Sequence, residues 1–430
     1  MVAPARPSRL DAAVSFLGSA EFARAITICV IGTAFLSHAL RALVGWAGLI
    51  SIIVALTLLA SASLFVRRGM LEWRGLLTVS LLAFVGWCCL SLLWSDYQWA
   101  TLAGVLYQVA LAVLGVYIAL VRDPIQIVRS FGDVLRALLV ASLVLEVLSG
   151  LLIDTPITFL GITGSLDSGG PIQGLFGSRN QLGLVTLIAI ITFVAELLTR
   201  SVPRNLSIGS LTLGALILLF TSSPVTLGTL VVVAAAGLVL AGLRRLDPDR
   251  RRIGQFVVTG AVVLTLLASW LARTQIIDAL NAGSEFEYRY TIWKRILQLV
   301  SFNPLEGFGW LGFWRTELPP YILIDAQDGA HPSAFNAYLD TLLQVGVVGL
   351  VLLLVLLGLA VVRSWLLASN RKSVVYVWPA LVIIALMITS AAESSMLVEY
   401  GWLILVIVAV RGSEGLSWRR GLRDSADTSP

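Results

Sequence analysis

Long apolar runs alternate with polar joints along the chain. Twelve runs reach or approach the about 20 apolar residues that a spanning helix needs: 24–42, 46–66, 76–94, 101–121, 135–153, 181–198, 206–221, 225–243, 254–271, 341–362, 374–391 and 397–411. Most joints are short. Two are long, 154–180 and 272–340, and long joints in a compact protein usually carry function. The pattern predicts an all-α polytopic membrane protein of about 12 transmembrane helices, with a large extracytoplasmic loop between spans 9 and 10. The expected segments are a cytoplasmic tail over 1–23, spans 1–9 within 24–271, the large loop over 272–340, spans 10–12 within 341–411, and a cytoplasmic tail over 412–430. No internal repeat is visible.

Inside the large loop the pattern changes. Residues 284–302, "SEFEYRYTIWKRILQLVSF", have helical periodicity. With Arg289 set at 0° and about 100° per residue, Trp293, Ile296, Leu297 and Val300 fall on its side and Lys294, Arg295 and Gln298 opposite. This predicts an amphipathic helix lying at the membrane face or against the bundle. Lys294 and Arg295 form its solvated face. Arg289 sits on the apolar side, where an unpaired guanidinium is costly. It needs an anion. Glu285, one turn earlier, is a candidate partner; an anionic ligand such as a phosphate is the alternative. The stretch "NPLEGFGWLGFW" (303–314) follows. Its glycines permit tight turns, and its aromatics suit either interface anchoring or stacking on sugar rings. Arg315 comes next, as a second candidate anion contact.

Composition and charge narrow the class. The chain is 58% hydrophobic and 13% charged, against about 25% charged in soluble domains, which excludes a soluble protein. The pI near 9.3 is explained by topology rather than by nucleic acid. With the N-terminus cytoplasmic, 23 of the 30 Lys and Arg residues fall on the inner side, as the positive-inside rule requires. The seven outer ones are Arg41, Arg179, Arg273, Arg289, Lys294, Arg295 and Arg315, and six of them lie in or beside the two long loops. Cys29, Cys88 and Cys89 all lie in apolar runs, so neither a disulfide framework nor a Cys-based metal site is expected. The first twenty residues lack the long apolar core and cleavage site of a signal peptide.

His331 is one of two histidines, placed just before span 10. Pro332 restricts it to extended backbone, so the helix is expected to start near Ser333 or later, with Ser333 as a candidate cap. The other histidine, His38, lies within an early span and reads as structural. Carboxylates for a metal site exist, Asp325 with Asp328 or Asp96 with Asp154 or Asp167, but no spacing selects them, and no metal or cofactor is expected.

The run "YRYTIWKRILQLVSFNPLEGFGWLGFW" followed by "AHPSAFNAYLDTLLQVGVVGL" resembles the bacterial O-antigen ligase and polymerase superfamily. The matching positions are Arg289, Trp293, Pro304, Gly307, Gly309, His331, Asn336, Tyr338, Leu339, and Gly346 and Gly349 as a Gly-x-x-Gly helix start. "GLFGSRNQLG" (174–183) is similar to the family's second motif, with Asn180 in its characteristic place. "LSLLWSDYQWA" (90–100) resembles its first outer loop, and "AESSM" (392–396) its late Glu-Ser motif. Two departures stand out. Pro-Ser-Ala-Phe separates His331 from Asn336, which the family holds adjacent, and Pro224 in "TSSPVTLGTL" stands where many ligases carry Arg, so that Arg179 becomes the candidate replacement. Both "SSPVT" and "GSRNQLG" look closer to exopolysaccharide polymerases than to lipid A ligases.

The resemblance implies a metal-independent glycosyltransferase on the outer face of the bacterial cytoplasmic membrane, with both termini inside. Its donor would be an oligosaccharide on undecaprenyl diphosphate and its acceptor another glycan, a lipid or a protein. Association with a chain-length regulator and a flippase, and none with nucleic acid, would follow. The residues it points to are His331 as general base and Arg289 as diphosphate clamp, with Arg315, Arg179, Asn180, Asn336, Tyr338 and Glu393 as substrate contacts. Tyr400 is a further polar group at an outer end. Two other classes share the topology. A flippase or secondary transporter usually shows intramembrane charge or broken helices at matching positions of two halves; Glu146 and Glu196 are the nearest candidates, without symmetry. A non-catalytic membrane scaffold would have no need of Arg289 on an apolar face.

Overall fold

The computed structural model describes residues 9–69, 78–167, 169–275, 283–324 and 333–415. They form helices α1 (Arg9–Leu17), α2 (Ala20–Phe35), α3 (Ser37–Val66), α4 (Val79–Leu90), α5 (Gln98–Val121), α6 (Pro124–Val147), α7 (Arg179–Thr199), α8 (Arg204–Thr221), α9 (Pro224–Leu243), α10 (Pro248–Leu271), α11 (Gly283–Val300), α12 (Tyr321–Ile324), α13 (Ala337–Asn370), α14 (Val377–Thr389) and α15 (Glu399–Gly415). The predicted apolar runs fall on helices, with the first, 24–42, shared between α2 and the start of α3 and the opening of the third, 76–94, outside the described residues. Eight of these, α3, α5, α6 with its extension to Leu152, α7, α8, α9, α10 and α13, are long and apolar enough to cross a membrane. The protein is therefore an all-α, polytopic membrane protein. The helices α2, α4, α14 and α15 are shorter, at 16, 12, 13 and 17 residues.

α15 runs through the core: Trp402 to Val410 are all buried. Much of α7 is buried with it, whereas α10 leaves Phe256, Leu264, Trp270 and Leu271 exposed. An apolar face of that kind suits contact with lipid.

Boundaries differ from the expected ones where polar caps extend a helix beyond its apolar run. α6 begins at Pro124 rather than near 135, because Asp123 and Gln126 form a reciprocal capping box with Pro124 in the first turn, a strong start signal. α3 begins at Ser37, one residue after α2, and is broken at Gly45 (φ 70°). His38 and Arg41 thus sit on its first two turns.

The most consequential difference lies in α13. Asn336, not Ser333, caps it, its side chain accepting from the Tyr338 and Leu339 amides. Gly346 and Gly349 do not start this helix. Gly346 (φ 68°, ψ −170°) breaks it in the middle. Such a break strands carbonyls on one side and amides on the other, each costing several kcal/mol if left unpaired in lipid. The Pro304–Gly309 turn satisfies them. Its Phe308 and Gly309 amides donate to the Leu343 and Gln344 carbonyls at 3.1 and 2.7 Å, and its Pro304 and Leu305 carbonyls accept from the Val347 and Val348 amides at 2.9 and 3.3 Å. Trp87 Nε1 donates to the remaining carbonyl, Val345, at 2.9 Å.

The aromatic-glycine stretch is bolted to the same half of α13. Asp340 Oδ1 accepts from Trp314 Nε1 at 2.6 Å and from Gln344 Nε2 at 2.8 Å. Gln344 Oε1 accepts from the Leu311 and Gly312 amides. The 90–100 loop joins it through Trp94 Nε1 to the Glu306 carbonyl and the Trp310 amide to Ser91 Oγ. Trp310 and Trp314 are buried, so they hold the loop together rather than anchoring at an interface or stacking on sugar.

A Cβ at Gly346 would lie 2.1 Å from the Leu305 carbonyl oxygen, and its backbone lies in a region open essentially to glycine alone, where other residues cost on the order of 1–3 kcal/mol. Gly346→Ala is therefore expected to lower the melting temperature of the detergent-solubilised protein clearly. Gly209→Ala, within α8 and with open space around its Cβ, should leave it unchanged or slightly raised.

Candidate functional site

Three chain segments far apart in sequence meet on one carboxylate. Glu393 follows α14 in the short connection to α15 and is buried. Its Oε1 accepts from Arg289 NH2 at 3.2 Å and from Asn180 Nδ2 at 2.7 Å. Asn180 Oδ1 in turn accepts from Ser223 Oγ at 2.6 Å. The anion on Arg289 is thus Glu393, more than a hundred residues away. The side chain of Glu285, the local candidate, lies outside the described residues.

Local structure explains how each group arrives. α11 packs a stripe of Ile292, Ile296 and Val300 inward, and Trp293 Nε1 donates to the Ala334 carbonyl at 3.0 Å. That stripe carries Arg289 inward with it, its side chain 12% exposed. Leu297, placed on the inner side by the helical wheel, is exposed, because the buried face centres on the 292–296–300 row. Lys294 is exposed as expected. Arg295 is half-buried and donates to the Ile324 carbonyl at 2.7 Å, tying α11 to α12, so it is no solvated residue.

Asn180 is the second residue of α7, whose start is capped by Ser178 accepting from the Gln181 amide. The preceding loop is pinned by Glu146, whose Oε1 accepts from the Gln173 and Gly174 amides at 2.8 and 2.7 Å. The His38 ring lies beneath Gly177, where an added Cβ would meet it at 2.3 Å. Ser223 caps α9 by accepting from the Thr226 amide, with Pro224 in the first turn. The Pro224 that departs from the ligase pattern therefore supports a cap that also holds Asn180.

The remaining candidates distribute differently. Phe335, in a left-handed conformation (φ 49°), places its ring 5.6 Å from the Arg289 guanidinium carbon. Asn336, besides capping α13, donates to the Ala391 carbonyl at 3.1 Å, and Tyr338 OH donates to the Met387 carbonyl at 2.9 Å. Both join α13 to the segment that carries Glu393. Arg179 heads α7, with NH1 3.5 Å from the Ser222 carbonyl. Arg315 is exposed and lies 5.6 Å over the Trp99 ring. His331, Asp325 and Asp328 lie outside the described residues.

A second arginine–glutamate pair was not legible in the sequence. Arg41 donates to Glu399, at the start of α15, and lies 4.9 Å from the rings of both Trp46 and Phe313. Only its position at the outer end of an apolar run singles Arg41 out. Glu196, one of the two charges considered for transport, is paired with Arg136 at 2.6 Å.

The class defined by these observations is a polytopic membrane protein with a buried charged cluster where its long loops converge. Residues 208–354 match a family model described as O-antigen ligase. The match covers about a third of the chain and supports the O-antigen ligase and polymerase superfamily. It includes Ser223, Arg289, the loop at 304–314 and the α13 break; Asn180 and Glu393 lie outside it. No curated protein matches the chain.

Burial raises the Glu393 carboxyl above its ordinary value of 4.5, a shift opposed by the Arg289 charge and the Asn180 hydrogen bond. The folded protein therefore holds this proton more tightly than the unfolded chain. The resulting contribution to stability is complete below pH about 4.5 and is lost as pH rises through the folded value. Thermal unfolding of wild type should show this decline with rising pH, and Glu393→Gln should flatten it.

Proposed function

We propose that the protein is a membrane glycosyltransferase. In this reading it polymerises or ligates oligosaccharide units carried on undecaprenyl diphosphate, in the synthesis of exopolysaccharide or another cell-surface polysaccharide. The observation that carries the proposal is Arg289: a guanidinium turned inward on a loop helix, within the segment that matches the O-antigen ligase family. The protein would lie in the bacterial cytoplasmic membrane with twelve spans, both termini inside and the site on the outer face. The distribution of Lys and Arg supports that orientation.

The chemistry needs two services. The acceptor hydroxyl oxygen attacks the anomeric carbon of the donor sugar, the carbon–oxygen bond to the diphosphate breaks, and the leaving diphosphate keeps the electron pair. A positioned cation stabilises the charge that develops on it. Arg289 supplies this, and Arg315 or Arg179 is the second contact assigned here. Arginine's planar fork suits phosphate oxygens, so the reaction is assigned to protein cations rather than to a metal. The hydroxyl proton passes to a base as the bond forms, and His331 has the intrinsic pKa for that role. Asn180 and Glu393 set the position of Arg289, and Asn336 and Tyr338 hold the segment that follows His331.

Arg289→Ala and His331→Ala should each abolish polymer formation while leaving membrane insertion intact. Chromatography of lipid-linked glycans should then show single units accumulating at the outer face. Normal chain length and yield in the His331 variant would remove it from the mechanism. Accumulation at the inner face would indicate a flippase instead.

A further inference from the structure

The molecule holds two kinds of buried arginine–glutamate pair. Arg136 is fixed by several contacts at once: Glu196 at 2.6 Å, Ser210 at 2.8 Å and Asp133 at 3.2 Å. Such an arrangement is built to stay. Arg289 meets Glu393 through one nitrogen and one oxygen at 3.2 Å, longer than the about 2.7–2.9 Å of strong charge-assisted bonds. The oxygen it uses is already engaged at 2.7 Å by Asn180, and Asn180 is anchored by Ser223. Glu393 is therefore held from one side by a short hydrogen-bond chain and touched from the other by a weakly bound cation. Separating Arg289 from Glu393 would leave the carboxylate in place.

Charge makes the separation necessary. One guanidinium cannot neutralise both a buried carboxylate and an arriving diphosphate, and two adjacent anions of low solvation repel strongly. We propose that Glu393 is a placeholder anion: it holds Arg289 in the site while no substrate is present, and the donor's diphosphate displaces it from the guanidinium. Glu393 is then a positioning residue that competes with substrate, rather than a sugar contact. It keeps the buried arginine from collapsing onto another partner, and it sets an affinity limit, because every diphosphate bound must first displace it. Its raised proton affinity lets the freed carboxyl become neutral beside the phosphate. This inference rests on Arg289 being the diphosphate contact.

Binding measurements on the full-length protein in nanodiscs test it, with undecaprenyl diphosphate as probe and undecaprenol as the phosphate-free control. Glu393→Gln keeps the amide contact to Asn180 within reach but removes the competing charge, and it should tighten diphosphate binding about tenfold, roughly 1.4 kcal/mol, without changing undecaprenol binding. Arg289→Ala should lose the diphosphate-dependent part. If Arg289→Ala binds as wild type does, the diphosphate role of Arg289 fails. If Arg289→Ala loses binding but Glu393→Gln binds equally or more weakly than wild type, the placeholder role is overturned and the role of Arg289 stands. Should Glu393→Gln not fold, infrared difference spectra of the wild type decide. Diphosphate binding is expected to change a carboxylate band, and no change overturns the proposal.

Discussion

A helix broken inside a membrane must find partners for its stranded backbone groups. Gly346 imposes that constraint on α13, and the Pro304–Gly309 turn meets it. Much else follows from this one docking. The turn fixes where the chain leaves α11, and the Asn336 cap with the Trp293–Ala334 bond fixes the other side of that helix. Arg289 is positioned because both ends of the surrounding loop are held on the same helix. Asp340 and Gln344 extend the attachment into the aromatic-glycine stretch. Asp340 and Gln344 thus serve the loop, while Tyr338 on the same half of α13 ties it to α14.

Electrostatics then decides what the held arginine does. A buried guanidinium without a counter-ion is unstable, and the fold supplies Glu393 from a connection that sequence separates widely from α11. The arrangement of donors around that carboxylate is uneven. Asn180 approaches closely and is itself supported through Ser223, while Arg289 approaches through one longer contact. In the proposed reading, Asn180 belongs to the fixed half of this cluster and Arg289 to the half that exchanges for an arriving anion. The Arg41–Glu399 pair is likewise flanked by aromatic rings, those of Trp46 and Phe313.

Much of this was legible in the sequence, for physical reasons. Apolar runs marked the helices because lipid leaves few other options for a backbone. The inward turn of Arg289 was legible because helical period fixes which side a residue takes. The partner of Arg289 was not, because local spacing offers Glu285 and only tertiary structure brings Glu393 across. The family resemblance marks Gly346 and Gly349 as a helix start; glycine suits ends and breaks alike, and which one applies depends on whether another segment supplies the missing hydrogen bonds. The start of α6 was hidden because its first turns are polar on one face, whereas a start of α13 after Ser333 was legible from Pro332, with only its cap, Asn336 rather than Ser333, hidden. Arg41 carried no periodic or spacing signal at all. Ser223 was visible as part of a variant motif, but its bond to Asn180 was not.

The central claim is that Arg289 is the anion contact of a diphosphate-lipid site, exchanging Glu393 for phosphate. An electron cryomicroscopy map of the full-length protein with undecaprenyl diphosphate in a nanodisc tests it most directly. The account predicts phosphate density within hydrogen-bond distance of the Arg289 guanidinium, which has moved off Glu393, while Glu393 remains on Asn180. Phosphate seated elsewhere, with Arg289 still on Glu393, would contradict it.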